Sequence, residues 1–336
     1  MVALTSTAED RAWLRVDDPA AAGTVRRAAV ALGTELVLPE SVLADLAIVA
    51  MEIATNVARH ADDGLILLRV RRTTENVGIE IVAIDRGPGM VDVAESTRDG
   101  HSTGGTLGIG LGAISRLASE MDIYSRVGSG TVLATTLWEK PMTTRSLVDG
   151  VSRPLAGERV CGDDYTARLV NGRRQVMLCD GLGHGALAAL AAQAVVAAFH
   201  AAPPGGPKSV LDHIHAHTRH TRGAVVGVAE LDPAATNVRF AGVGNIAATV
   251  LSDTGRRAMV SLPGIVGQQR REVREFDYPL PEGALVVLHS DGLTERWTLD
   301  DYPGLTSHAP VVIAAILLRD AARRRDDASV LVARAA

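Results

Sequence analysis

Asp99-Gly-His-Ser-Thr-Gly-Gly-Thr-Leu-Gly-Ile-Gly-Leu111 places Gly104, Gly105, Gly108 and Gly110 directly ahead of an apolar helical pattern around Leu111–Met121. Backbone N–H groups left unpaired at a helix start suit a polyphosphate. A glycine cluster can equally be a plain loop. The spacing here matches neither the dinucleotide-binding fingerprint nor the Walker loop.

Three further features flank this stretch in a fixed order. Upstream, Asp85-Arg-Gly87-Pro-Gly89 follows an apolar strand pattern. A carboxylate there can accept from an exocyclic base amine, and the glycines let a ligand approach the backbone. Further upstream, Glu52 and Asn56 lie four apart on a helix expected over 39–61, and so share a face. An amide oxygen suits Mg²⁺, and a carboxylate one turn away can take a proton from an attacking hydroxyl. Downstream, Gly128-Ser-Gly130-Thr131 turns into a strand. Each feature alone reads as a turn or a solvated helix face; the four together read as a nucleotide site.

Around them, Leu43, Leu46, Ala47, Ala50, Ala54 and Val57 recur at helical spacing and define a buried stripe. Strands are expected at 65–72, 77–84 and 131–137, which gives a helical layer against a sheet. Pro141 and the polar residues 139–150 interrupt regular structure, so the expected organisation is a domain over 1–140, a linker over 141–150 and a second domain over 151–336.

The second block is strand-rich: 165–170, 175–179, 224–231, 237–240, 246–251, 285–290 and 329–333, with helices over 186–202, 209–220 and 310–323. Two packed sheets covered by helices follow. Acidic residues recur at strand ends beside glycines: Gly162-Asp163-Asp164-Tyr165, Cys179-Asp180-Gly181-Leu-Gly-His184-Gly, Ser290-Asp291-Gly-Leu-Thr-Glu295 and Arg325-Asp326-Asp327-Ala-Ser329. Asp-Gly pairs also mark ordinary turns. Oxygen-only ligands far apart in sequence suit Mg²⁺ or Mn²⁺, and a pair of such ions can ionise water for attack on phosphorus.

On these motifs the first block resembles the GHKL ATPase/kinase superfamily over most of 10–138, and within it the small RsbT-like serine/threonine kinases of bacterial sigma-factor regulation. The resemblance implies that ATP is the nucleotide, that Asn56 holds Mg²⁺, that Asp85 reads adenine with Gly87, Gly89 and Thr131 around it, and that the glycines from Gly104 to Gly110 cover the phosphates. Glu52 becomes the catalytic base. Over about 151–334 the second block resembles PP2C-like (PPM) phosphatases of the SpoIIE branch, in a compact RsbX-like form, supported by Phe240-Ala-Gly-Val-Gly-Asn245 and Leu280–Glu295. Asp180 then bridges two Mn²⁺ or Mg²⁺ ions as the central catalytic carboxylate, and Gly181 contributes its carbonyl. Asp163 ligates one ion, and Asp291 and Asp326 ligate the other. Asp327 ranks below these, and Asp164 stands where an aromatic is commoner. The fold implied is α+β: a GHKL (Bergerat) α/β sandwich followed by a PPM-type α-β-β-α sandwich.

The partners implied are STAS-domain proteins, anti-anti-sigma or stressosome components, and their phosphorylated forms. An alternative keeps the phosphatase and makes the first domain an inactive module that binds nucleotide, a sigma factor or a phosphatase activator. A scaffold with both sites vestigial is a further rival, opposed by the intact acidic and glycine sets. The net charge of −5 gives no basic excess for a nucleic-acid backbone. The start, MVALTSTAEDRAWL, lacks a secretory pattern, and the apolar run 186–202 is too short to span a bilayer, so a cytoplasmic protein is expected. Cys161 and Cys179 read as small thiols. His213, His215, His217 and His220 read as a polar helix face rather than a zinc site, Arg323-Arg-Arg325 as a helix end, and His184 as a neighbour of the bridging Asp180.

Overall fold

The computed structural model describes residues 7–96, 110–142, 146–232, 236–252, 255–269, 272–323 and 325–334. The chain resolves into two compact units, Met1–Arg145 with Ser307–Arg319, and Ser146–Thr306 with Asp320–Ala336.

The first unit runs β1 (Thr7–Val16), α1 (Ala20–Glu35), α2 (Glu40–His60), β2 (Gly64–Arg72), β3 (Val77–Ile84), α3 (Val93–Ser96), α4 (Gly110–Leu117), β4 (Glu120–Arg126) and β5 (Gly130–Trp138). Its strands form one antiparallel sheet in the order β1-β2-β3-β5-β4. Ile66, Leu68 and Val70 of β2 and Ile79, Ile81 and Ala83 of β3 alternate onto one face, where they meet Leu46, Val49, Ile53 and Val57 of α2 and Val25 and Ala29 of α1. Fully burying such side chains contributes ~1.5–3 kcal/mol each. The buried stripe of α2 is rotated from the expected one: Val49 and Ile53 enter the core, while Leu43 and Ala47 stay half-buried. The helix packs where the sheet needs volume, and sequence spacing alone does not fix that angle. By length and composition α2 could cross a bilayer, yet it is the helix that closes this core and carries Glu52 and Asn56.

Three elements of this unit lack the expected signal. β1 is an edge strand whose register shifts between Asp10 and Ala12, which breaks the period-2 alternation. α1, between β1 and α2, was not among the expected elements. The helix expected to reach Met121 ends at Leu117; Ser119 then donates its N–H to the Thr136 carbonyl at 2.9 Å, and β4 begins at Glu120.

The second unit begins with β6 (Val148–Arg153), inside the stretch read as linker, because Val148 and Val151 are buried and β6 pairs with the last strand. It continues through β7 (Asp163–Val170), β8 (Arg173–Gly181), α5 (Ala186–Ala201), α6 (Pro207–His217), β9 (Ala224–Leu231), β10 (Asn237–Val243), β11 (Ala247–Ser252), β12 (Gly255–Met259), β13 (Ser261–Leu262), β14 (Phe276–Pro279) and β15 (Leu285–His289) to β16 (Ala328–Arg334). Helix α7 (Pro310–Ala321) precedes β16. One sheet has the order β13-β10-β9-β8-β7 with β14 beside β10; the other has the order β12-β11-β15-β16-β6.

Central strands buried on both faces read as continuous apolar runs, and β8 does so. Its Val176 and Leu178 face the other sheet, meeting Phe240, Val250, Val286, Leu288 and Leu331. Its Met177 and Cys179 face α5 and α6, meeting Val195, Phe199, Val210 and Ile214. The architecture is the expected α+β one in both halves.

Candidate functional sites in the two units

In the first unit, α2 presents Glu52 and Asn56 on one turn, and α4 starts directly above them. A Cβ added to Gly110 would lie 3.5 Å from Asn56 Nδ2 and 4.0 Å from Glu52 Oε2. Gly104, Gly105 and Gly108 lie outside the described residues.

Asp85 follows β3 and is held by backbone. Its Oδ1 accepts from the Gly87 N–H at 2.8 Å and the Thr131 N–H at 3.2 Å, and its own N–H donates to the Thr131 carbonyl at 2.9 Å. Oδ2 accepts no hydrogen bond among the described residues. Burial raises this carboxyl above its ordinary value, and the two N–H bonds pull it partly back. The opposing turn must come close: Gly130 has φ +81°, and a Cβ on it would meet the Asp85 carbonyl at 2.1 Å. Gly89, at φ +69°, would likewise strike the Arg126 carbonyl at 2.1 Å. Thr131 Oγ1 pairs with Ser125 Oγ at 2.8 Å, and Ser125 Oγ accepts from the Met90 N–H at 2.8 Å. Ser125 lies on β4, a strand absent from the expected elements, so its role in tying the Gly89 turn to Thr131 was not readable.

The acidic residues of the second unit gather at neighbouring strand ends of the two sheets. Asp163 on β7 and Asp180 on β8 are cross-strand register partners. Asp291 follows β15 and Asp326 precedes β16, and these two strands also pair. Burial and then the charges of Asp291, Asp326 and Asp327 push Asp180 up to about 7. Asp163 is raised well above its ordinary value by burial first and then by Asp180. Asp163 Oδ2 is buried with no hydrogen-bond partner. A cation would relieve both the repulsion and this orphaned oxygen, so the oxygen-only donor set fits hard divalent ions. Among the described residues, no group of three or more acidic, His or Cys side chains stands close enough together to hold a metal ion as placed.

The other acidic residues have settled partners. Asp327 accepts from the Leu155 N–H at 2.6 Å through Oδ1 and from the Gly162 N–H at 2.8 Å through Oδ2. Asp164 Oδ1 accepts from the Tyr165 N–H at 2.8 Å. Asp291 Oδ2 accepts from the Asn245 side-chain amide at 2.7 Å, a role that Phe240–Asn245 did not disclose by pattern alone. His184 Nδ1 sits 2.8 Å from Glu158 Oε1. His213 and His217 stack at 3.9 Å, His217 Nδ1 donates to the His213 carbonyl, and His215 Nδ1 accepts from the Gly267 N–H. These histidines serve local structure. Cys179 is fully buried and Cys161 half-buried, and burial raises both thiols.

Comparison with known proteins agrees with this division. The histidine kinase-like ATPase domain family matches residues 16–137, and the stage II sporulation protein E (SpoIIE) family matches residues 171–336. The serine/threonine-protein kinase RsbT of Bacillus subtilis (strain 168) is 36% identical over 87 residues, 26% of this chain and 65% of RsbT. A solved chain from work on the bacterial stressosome as a modular system adapted to control secondary messenger signaling is 30% identical, with a TM-score of 0.50 over 56% of this chain and 98% of that one. RsbX in complex with magnesium is 18% identical, with a TM-score of 0.46 over 55% of this chain and 94% of RsbX. The first part of the chain thus carries a histidine kinase-like ATPase domain and the second a SpoIIE domain. The chain is a fusion of the two. The part similar to RsbT spans just under two thirds of that kinase's length.

Proposed function

We propose that this chain is a bifunctional partner-switching regulator. One domain, over 1–140, phosphorylates Ser or Thr on a STAS-domain protein with ATP. The other, in the unit that begins at Ser146 with β6, removes phosphate from phosphoserine or phosphothreonine. A cytoplasmic location goes with such partners. The observation that carries the phosphatase half is the convergence of acidic charge on Asp180, with the orphaned Asp163 oxygen beside it. Supporting the kinase half is Gly110 seated over Glu52 and Asn56, together with the similarity to RsbT.

In the kinase half, Asp85 Oδ2 accepts from the adenine amine while Oδ1 keeps its turn. Asn56 would hold Mg²⁺, which would offset phosphate charge, and Glu52 would take the proton of the attacking hydroxyl. In the phosphatase half, Asp180 with the Gly181 carbonyl, Asp163, Asp291 and Asp326 would hold two Mg²⁺ or Mn²⁺ ions. Such ions supply positive charge against phosphoryl oxygens and acidify water. The protein's own part is to keep these carboxylates together at paired strand ends, where a cation would favour the ionised form that burial and mutual repulsion oppose.

The test incubates wild type, Asn56→Ala and Asp180→Asn with ATP, divalent metal and a STAS-domain protein, following its phosphate by intact mass. The proposal expects phosphoprotein to accumulate with Asp180→Asn, not to form with Asn56→Ala, and to be cleared by wild type. A partner that binds and is dephosphorylated, yet is never phosphorylated by any variant, replaces the kinase reading with that of a binding module.

A further inference from the structure

Arg222 occupies the loop between α6 and β9, next to the segment that carries Asp180 and Gly181. Its Nη1 donates to the Leu182 carbonyl at 3.0 Å, and the Leu182 N–H donates to the Gly223 carbonyl at 3.1 Å. The same Nη1 lies 2.9 Å from where a Cβ on Gly183 would stand. The guanidinium is thus fixed one residue beyond Gly181, in the turn that leads from β8 into α5. That contact to Leu182 is its only hydrogen bond among the described residues, and the side chain is exposed. Nε and Nη2 remain available as a planar fork, the geometry that matches two phosphate oxygens.

The surroundings make such a cation useful. Asp163 and Asp180 are register partners at the ends of β7 and β8, and Asp291 and Asp326 stand at the ends of the paired strands β15 and β16, so carboxylates gather there. An incoming phosphomonoester dianion meets that field. A guanidinium bound to the rim by one carbonyl, with the rest of its donors unspent, offsets it at the point of entry. The same residue as a pure loop clamp needs Nη1 alone.

We infer that Arg222 binds the phosphoryl group of the substrate, orienting a phosphoserine or phosphothreonine over the acidic centre through two non-bridging oxygens. This rests on the phosphatase reading of that centre. Charge-assisted hydrogen bonds of this kind contribute about 10- to 100-fold in affinity. Lysine in its place keeps the charge and loses the fork.

The experiment compares the Mn²⁺-loaded full chain with Arg222→Ala and Arg222→Lys. It measures kcat and KM on a phosphoserine peptide and on p-nitrophenyl phosphate, inhibition by inorganic phosphate, Mn²⁺ affinity by calorimetry, and anisotropy of a labelled peptide bearing a non-hydrolysable phosphonate. For Arg222→Ala we expect KM for both substrates, the phosphate inhibition constant and the phosphonate Kd to rise together by about 10- to 100-fold, with Mn²⁺ affinity unchanged and Arg222→Lys intermediate. Unchanged phosphate inhibition with weakened Mn²⁺ binding overturns the inference in favour of a loop clamp. A KM rise confined to the peptide overturns it in favour of contacts to flanking residues. If wild type hydrolyses neither substrate, the phosphatase reading fails. The phosphonate series then decides the anion site separately: loss of binding in Arg222→Ala upholds it, and equal binding removes it.

Discussion

The Asn245 side-chain amide donates to Asp291 Oδ2 over 2.7 Å, tying the turn after β10 to the acidic residue that follows β15. One oxygen of Asp291 is thereby oriented, and in the proposed phosphatase site the other would face a cation. Partners that orient a ligating carboxylate typically account for 10- to 100-fold in metal affinity. Asn245→Ala should therefore weaken Mn²⁺ binding by about that factor, read as a shift in the Mn²⁺ dependence of phosphatase activity and in calorimetric Kd. Asn245→Asp should weaken it further, because a carboxylate beside Asp291 repels where the amide donated.

Asp180 predicts how the metal-free chain responds to pH. Its carboxyl is pushed up to about 7 in the folded state, against an ordinary 3.8. Between those values the native state keeps a proton that the unfolded state has lost. Stability of the chelator-treated protein should therefore fall as pH rises from about 4 to 7, and the decline should level off above that. A shift of this size caps the loss at ~4 kcal/mol, shared with the neighbouring carboxylates. Thermal melts in chelator across that range should descend, and Asp180→Asn should flatten the curve. Added Mn²⁺, which binds the ionised form, should restore stability most at the high-pH end.

Asp326 and Asp327 are adjacent yet should fail differently. Both oxygens of Asp327 are occupied by the Leu155 and Gly162 N–H groups, and its side chain is buried. Asp327→Ala leaves the buried Gly162 N–H and the part-buried Leu155 N–H without partners, at a cost of about 1–3 kcal/mol for the buried one, so melting temperature should drop in the metal-free protein. Asp326→Ala removes a half-exposed carboxylate that, among the described residues, accepts only from its own neighbour's N–H, that of Asp327. It should leave the metal-free melt nearly unchanged and abolish metal-dependent hydrolysis.

What the sequence conveyed depended on whether a residue's role is local. Asp180-Gly181 and Asp291-Gly292 sit at strand ends whose apolar runs are themselves legible, so position and chemistry came together. Glu52 and Asn56 needed only the helical repeat. The edge strands β1 and β4 were not expected, because half-burial and a bulge erase the alternation that marks a central strand. The partners that hold the sites in place were equally hidden. Ser125 with Thr131, Asn245 with Asp291, and Leu155 with Asp327 are 6, 46 and 172 residues apart. No periodicity in the chain carries pairings of that kind. They are set by which strands pair within a sheet, as for Ser125 with Thr131 and Leu155 with Asp327, and by which strand ends of the two sheets lie side by side, as for Asn245 with Asp291.

Asp85→Asn separates turn geometry from base recognition. An Asn at this position can keep its amide oxygen on the Gly87 and Thr131 N–H groups, replacing Oδ1 atom for atom. Its NH₂ then stands where Oδ2 faced the ligand, and meets the adenine amine donor to donor. The turn should survive, with a melting temperature close to wild type. ATP affinity should fall by about 10- to 100-fold, the cost of a lost charge-assisted bond plus an unpaired donor. Gly130→Ala makes the opposite case. At φ +81°, with its added Cβ 2.1 Å from the Asp85 carbonyl, it must push the two turns apart. That variant should lose stability and nucleotide together, because left-handed backbone and a backbone clash compound one another. Titrating a fluorescent ATP analogue into both variants, beside their thermal melts, distinguishes the cases. Equal binding by Asp85→Asn and wild type would remove Asp85 from adenine recognition.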